Sequence, residues 1–515
     1  MNKKRLAAIL LAGPLAAALC ACSNGGVPVA ENAPELTLPP AVTEYVAPIG
    51  DAALEFIGDA TLFLPRHDGT RLVAVHTQVS FSAARPHAES LTRALLNYPG
   101  DGVASPLGGG VRLALNGVNP VEVSLGVATV NLAASALQLD RKDLYIACQA
   151  IANTLTELSD ISYVNVLVMD KPVGLDIANT LPTGTFSRSA GQDVGAVYEQ
   201  LLSRRVQAGE SAAERPLSSN VTLYFPLSGT EGVMSEVRAI SFGNQVFSDM
   251  VVSILRELAA GPQQAVGSPA LPLLADLLTL PPSLSYSEEN GGQIISLHFA
   301  YNLDEMLEGH GLTRAQSMAS LCYTLCTFFP NVAGISVTIG DAAVTTLMLT
   351  GDFESSVSFS YGIQRRADFS PLLYDRATLY FADETGRKLK ASERPVPFYQ
   401  RRSPRALLVE LSKGPKPYDS VPELQPVMAR DALADADILG LAIADSTLII
   451  NFAPSFAGVG AGMDGERERL LAYAIVNTLC CDPRIKSLCA FLSGAPFEGF
   501  SGQIYWPGRF YPLPG

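Results

Sequence analysis

Histidine is scarce in this chain, with five in 515 residues: His67, His76, His87, His298 and His310. A zinc site or a catalytic triad needs several ligands converging on one point, and none of these histidines recurs in the repeats described below. The chain also lacks a Gly-x-Ser-x-Gly nucleophile elbow and a His-Glu-x-x-His helix, the spellings of two common hydrolytic sites. Positive charge is in short supply: 36 Lys and Arg stand against 50 Asp and Glu, for a net charge of −14. A body this acidic repels a phosphate backbone, which argues against nucleic acid as a partner. It repels an anionic lipid surface too, so attachment to a membrane needs another kind of anchor. The apolar run at the start, Leu6 to Leu19, is broken by Gly13 and Pro14 and is shorter than the roughly 20 residues of a spanning helix. The chain as a whole is 48% hydrophobic and 17% charged, the composition of a globular protein.

The anchor is written at the N-terminus. Lys3, Lys4 and Arg5 precede the apolar run, and Leu19-Cys20-Ala21-Cys22-Ser23 follows it. This is the layout of a signal peptide, and its end resembles a bacterial lipobox, in which a cysteine thiol takes a diacylglycerol. Cys22 fits best, with Leu19 three residues before it and Ala21 immediately before. Cys20 is the second choice, and an ordinary signal peptide with an incidental cysteine is the alternative. Residues 1–22 are therefore expected as a lipoprotein signal peptide. Their loss would take the net charge to −17, since they hold three bases and no acid. Residues 23–58, rich in Pro, Ala, Gly, Val and Glu without amphipathic period, are expected as a flexible tether.

Beyond the tether the chain repeats itself. Thr61-Leu62-Phe63-Leu64-Pro65 returns as Thr222-Leu223-Tyr224-Phe225-Pro226 and as Thr378-Leu379-Tyr380-Phe381-Ala382, at spacings of 161 and 156 residues. A period this long marks whole domains. A second extended segment follows each start: Leu72 to Val79, Glu236 to Phe242 and Arg394 to Tyr399. An amphipathic helix then ends at Pro99-Gly100, Gly261-Pro262 or Gly414-Pro415. Next comes a hairpin, turning near Gly126, at Asn290-Gly291-Gly292 and at Asp445-Ser446. A second helix is the clearest marker: Ala150-Ile151-Ala152-Asn153-Thr154-Leu155 matches Ala474-Ile475-Val476-Asn477-Thr478-Leu479, with Tyr323-Thr324-Leu325 diverging in the middle copy. A last strand closes each unit.

This order predicts an α+β fold of three tandem small modules, each a mixed or antiparallel sheet with two helices. The expected bounds are 59–177, 220–345 and 377–515, the last with a C-terminal extension. Residues 178–219 and 346–376 are expected as irregular connectors, with one extra helix over Val197 to Arg205. The modules are expected to form a rod.

Few residues suggest chemistry. Cys322 and Cys326 lie four apart on a helix, a spacing that can hold a metal, but they read as buried thiols, like Cys148. A disulfide from Cys480 or Cys481 to Cys489 stays open. Gly460-Ala461-Gly462-Met463-Asp464-Gly465 spells Gly-x-Gly-x-x-Gly, yet the preceding strand is expected to end at Ala453, too far back for a phosphate-binding turn. Asp101, Asp464 and Glu466 are acids in loops that do not repeat. The most recurrent polar residues are Asn153, Thr154, Thr324, Asn477 and Thr478. Asn and Thr near a helix end can bond backbone groups and seat the helix, and they read as structural markers rather than as a ligand groove. No catalytic residue, cofactor or metal is assigned.

The ordered recurrence resembles the GerM-type (GerMN) module of the sporulation and spore germination family. The family pattern runs through Tyr-Phe-Pro, a helix ending near Gly-Pro, Ser-Pro-Leu and an Ala-Ile-Val-Asn-Thr-Leu helix. Here it is carried by Tyr224-Phe225-Pro226, Ser105-Pro106-Leu107 and Ala474 to Leu479. The resemblance implies a membrane-anchored lipoprotein of a Gram-positive bacterium, with a fold similar to the ring-building modules of secretion machines. It further implies a scaffold at the outer face of the cell membrane that binds envelope or sporulation-complex proteins, or itself. Three copies depart from the one or two associated with the family. The alternatives are a peptidoglycan-binding or cell-wall-modifying protein and a lipoprotein modulator of a sensor kinase.

Overall fold

The structure is a computed structural model. It describes residues 55–67, 69–82, 85–173, 184–189, 191–203, 217–263, 269–287, 292–349 and 355–513. The chain divides into two units, Met1–Ala41 and Val42–Gly515. The first unit, with the expected signal peptide and Cys22, lies outside the described residues, as does the Asn290-Gly291 turn.

The first module holds β1 (Glu55–Pro65), β2 (Leu72–Ser82), α1 (His87–Leu96), β3 (Val121–Ser124), β4 (Gly126–Leu132), α2 (Arg141–Leu155), β5 (Ile161–Val168) and β6 (Lys171–Pro172). β7 (Phe186–Ser187) and α3 (Val194–Ser203) follow. The second repeats the path with β8 (Leu217–Pro226), β9 (Val233–Phe242), α4 (Phe247–Ala259), β10 (Ser283–Ser287), β11 (Gly292–Phe299), α5 (Leu303–Gly309), α6 (Arg314–Phe328), β12 (Val332–Ile339) and β13 (Ala342–Ala343). β14 (Thr346–Leu349), β15 (Ser355–Ser358) and β16 (Ile363–Gln364) connect it to the third. That module has β17 (Leu373–Ala382), β18 (Leu389–Pro397), α7 (Pro404–Ser412), β19 (Ile438–Ala444), β20 (Thr447–Phe452), α8 (Phe456–Val459), α9 (Gly465–Leu479), β21 (Ser487–Leu492) and β22 (Ala495–Pro496).

The α+β reading holds, with two refinements. Each module has two sheets rather than one. The opening hairpin (β1–β2, β8–β9 or β17–β18) is antiparallel and separate, while β3-β4-β5-β6 and its two counterparts form mixed sheets with a parallel central pair. The second helix packs against the hairpin as well as the sheet, so it is wrapped nearly all round. Every residue of α6 after Arg314 is buried. A helix hydrophobic on all sides belongs in an interior, which is why Ala-Ile-Ala-Asn-Thr-Leu shows no stripe. The helix start is set by side-chain caps: Asp140 accepts from Asp143 N–H, Thr313 forms a capping box with Gln316, and Asp464 accepts from Arg467 N–H.

The hairpin turns are equally local. Leu125 and Gly126 have φ of 46° and 83°, and Asp445 and Ser446 have φ of 47° and 58°. Positive φ at both central positions is the turn whose twist matches two antiparallel strands.

The connectors belong to the modules. β7 adds antiparallel to β5, β16 adds antiparallel to β12, and Phe510 bridges Leu488 of β21 in the same way. The returning segment after each module is thus its last strand. The extra helix is α3, starting three residues earlier than expected, and the first hairpin begins at Glu55, inside the segment expected as tether. β8 and β17 likewise begin inside the expected connectors.

The modules do not form a rod. β9 and β17 pair in parallel at Val233 with Leu373 and Met234 with Tyr374, which joins the second hairpin to the third in one four-stranded sheet. One apolar core runs unbroken through modules one and two as far as Leu373, and module three has its own. The third module also closes back on the first. Arg402 donates to the carbonyls of Thr156 and Leu158, at 3.4 and 3.1 Å, and Ser162 Oγ donates to Asp375 at 3.0 Å. Arg402, between β18 and α7, thus meets the end of α2, and Asp375 of β17 meets the start of β5, so each of the three modules contacts the other two where a rod was expected.

Candidate functional site

The recurrent polar residues converge on one local device. Thr154 Oγ1 accepts the N–H of Phe63 at 2.9 Å, Thr324 Oγ1 that of Tyr224 at 3.0 Å, and Thr478 Oγ1 that of Tyr380 at 3.0 Å. All three threonines are buried. Each bond ties the second helix to the same position of the hairpin and satisfies a backbone donor that the hairpin ladder leaves over.

The asparagine one residue earlier reaches the other way. Asn153 Oδ1 accepts from Ser189 N–H at 2.9 Å and its Nδ2 donates to Ser189 Oγ at 3.0 Å. Asn477 Oδ1 accepts from Leu513 N–H at 3.0 Å. Both hold down the segment that returns to the sheet. In the middle copy Tyr323 occupies this place and stacks on Tyr224, ring centroids 5.1 Å apart, with the Arg366 guanidinium 5.6 Å above it. Cys322 Sγ takes over the fastening by donating to Gln364 O at 3.4 Å. Burial pushes the phenols of Tyr224 and Tyr323 up, so both stay neutral.

Two arginines make a second recurrent device that the sequence reading missed. Arg238 donates to Glu236, to Glu257 and to the carbonyl of Gly261, and lies 5.6 Å from the centre of the Phe225 ring. Arg394 donates to Asp419 at 2.7 and 2.6 Å, to Glu410, and to the carbonyl of Gly414 at 2.7 Å, over Phe381. Each caps the end of the first helix in its module. The signal was there: both stand sixteen residues after the repeated threonines Thr222 and Thr378.

A third buried charge serves the C-terminal extension. Glu468 on α9 accepts from Phe500 N–H, Ser501 N–H and Trp506 Nε1 at 2.9, 2.8 and 2.9 Å, and from Ser501 Oγ. Burial would raise this carboxyl, but the four donors outweigh it and hold it below the ordinary glutamate range.

The residues weighed for chemistry do structural work. Asp101 accepts from the N–H groups of Val103 and Ala104 and from Tyr98 OH, which together hold its carboxyl at about 2. His67 lies 2.5 Å from the Asp101 carbonyl and 2.9 Å from Ser105 Oγ, pinning the loop of Ser105-Pro106-Leu107 to the end of β1. Asp464 caps α9, and Glu466 is exposed on its first turn. These acids sit in modules one and three with unrelated tasks. In the glycine-rich stretch, α8 intervenes between strand and helix, and a Cβ on Gly460 would meet the Phe500 ring at 2.3 Å. The space a phosphate would need is filled by the chain itself. The six described cysteines, Cys148, Cys322, Cys326, Cys480, Cys481 and Cys489, are free thiols. Burial pushes Cys480 up to about 11, far from reactive thiolate character. Among the described residues, no three His, Cys, Asp or Glu side chains stand together as metal ligands.

The fold is thus a triplicated α+β module whose recurrent polar groups are turned inward. Residues 61–174 and 378–488 match the family model of the Germane domain, described as sporulation and spore germination. The similarity to that family is carried by the first and third modules. The match leaves out the middle one, where Tyr323 replaces asparagine. Among solved structures, the tandem GerMN domains of the sporulation protein GerM from Bacillus subtilis are similar at 16% identity, over 60% of this chain and 99% of that one, with a TM-score of 0.23. A putative lipoprotein from Clostridium perfringens is similar at 20% identity, over 27% and 87% of the two chains, with a TM-score of 0.18. The first GerMN domain of GerM alone is similar at 18% identity, over 24% and 86%, with a TM-score of 0.20. No curated protein matches the chain.

Proposed function

We propose that this protein is a lipid-anchored scaffold on the extracytoplasmic face of the cell membrane, acting in sporulation or spore germination through protein–protein contacts. One observation carries the reading. What recurs in all three modules, Thr154, Thr324 and Thr478 above all, is engaged in holding each module together. Repetition has therefore preserved the folded body of the module, and bodies set in tandem suit association with other proteins. The Germane match supports the process, and the Leu19-Cys20-Ala21-Cys22 pattern supports the anchor. The reading assigns no catalysis.

Two experiments test it. Deletion of the gene should lower the yield of heat-resistant or germination-competent spores, and normal spores would overturn the role. Affinity capture from sporulating cells should return envelope proteins. Recovery on purified cell wall instead would favour the peptidoglycan alternative.

A further inference from the structure

β10 is an outer strand, paired with β11 on one side and with no strand on the other among the described residues. Unpaired strand edges invite association, and proteins usually blunt them with charge, proline, a bulge or extreme shortness. The other outer strands of the mixed sheets are blunted. β3 carries Glu122 within it, β19 has a bulge between Ile438 and Gly440, and β6, β13 and β22 are two residues long, whereas the prolines beside β10, Pro281 and Pro282, lie outside the strand. β10 pairs with β11 in unbroken register. The chain from Leu277 to Ser287 has no charge at all, within a protein of net charge −14.

Its residues are also laid out for a particular occupant. Ser283-Leu284-Ser285-Tyr286-Ser287 reads almost the same in both directions. Leu284 stands opposite Ile295, and Tyr286 opposite Gln293, so both lie on the face that carries the core residues Ile295 and Leu297. Yet they project past the cover of the helices: Tyr286 is 71% exposed, and Leu280 beside the strand is 54% exposed. An antiparallel copy centred on Ser285 would place Leu284 against Tyr286 twice. Two acidic molecules could meet there without opposing like charges.

We propose that two copies of this chain pair antiparallel through β10, about a twofold axis at Ser285, into one continuous sheet running β13-β12-β11-β10-β10-β11-β12-β13. The inference deepens the reading of the chain as an assembly protein by naming its first partner as itself. It is measured without reference to spores, so either can fail alone.

Directly opposed residues of an antiparallel pair have Cα atoms about 4.5–5.5 Å apart, within disulfide reach. Ser285→Cys in the full chain, in its own membranes, should therefore give a covalent dimer under mild oxidation, above the background set by the unmodified chain. Ser287→Cys should not, because its own copy lies four residues away along the pair. In detergent solution, Tyr286→Lys should weaken self-association at least tenfold by sedimentation equilibrium. The proposal is overturned if Ser285→Cys, folded by circular dichroism, gives no dimer. It is equally overturned if both cysteines cross-link alike, if Ser285→Cys joins a different protein, or if Tyr286→Lys leaves self-association unchanged.

Discussion

Thr324 Oγ1 accepts the backbone N–H of Tyr224 at 3.0 Å across 100 residues of chain. The same bond recurs at Thr154 with Phe63 and at Thr478 with Tyr380. Each closes a module by tying its last helix to its first strand. A valine of nearly the same shape fills the space but leaves a buried donor unmade. We expect Thr154→Val, Thr324→Val and Thr478→Val each to cost about 1–3 kcal/mol in denaturant unfolding. The three lie in separate modules, so the effects should add to within roughly 0.5 kcal/mol.

Arg394 and Asp419 are both fully buried and joined at 2.6 Å. Removing one partner strands the other. Arg394→Met should destabilise the third module by roughly 3–5 kcal/mol. Adding Asp419→Leu should recover much of that loss, since an apolar pair needs no compensating charge. Thermal unfolding of the two variants checks both parts, and no recovery would show that the capped carbonyl of Gly414 matters more than the ion pair.

Glu468 gives a pH signature. Its carboxyl is held below the ordinary range in the folded chain, so the unfolded state takes up a proton first on acidification. Its contribution is therefore complete above about pH 4.3, the unfolded value, and declines as the pH falls through the folded one. Glu468→Gln should lower Tm at neutral pH. The gap from the parent should narrow below about pH 4.3, as differential scanning calorimetry across pH would show.

The closure of the third module on the first rests on Arg402, which reaches two carbonyls at the end of α2, and on Phe398, which lies 2.8 Å from where a Cβ on Gly126 would stand. Arg402→Glu together with Phe398→Ala should open that contact and raise the radius of gyration in small-angle scattering. The helix content should not change. An unchanged radius would mean that the β9–β17 junction alone sets the arrangement.

Cys22 is the expected lipid acceptor. Cys22→Ala should move the protein from the membrane pellet to the soluble fraction and abolish labelling by radioactive palmitate. Retention of label would shift the acceptor to Cys20.

The sequence by itself determined the module and its number, because those depend on local signals. The turns at Gly126 and Asp445-Ser446, the caps of the last helices and the recurring Asn-Thr pair are legible within a few residues. They give the element order, and with it the structural reading of Asn153, Thr154, Thr324, Asn477 and Thr478. The net charge of −14 likewise argues against a nucleic-acid partner. Only the tertiary structure decided how the modules sit together. The expected rod fails because Arg402, Ser162 and Asp375 find partners more than 200 residues away, and no periodicity encodes such a meeting. The same holds for Glu468, whose charge looks like that of an ordinary surface residue until folding takes it out of water and obliges it to find its partners.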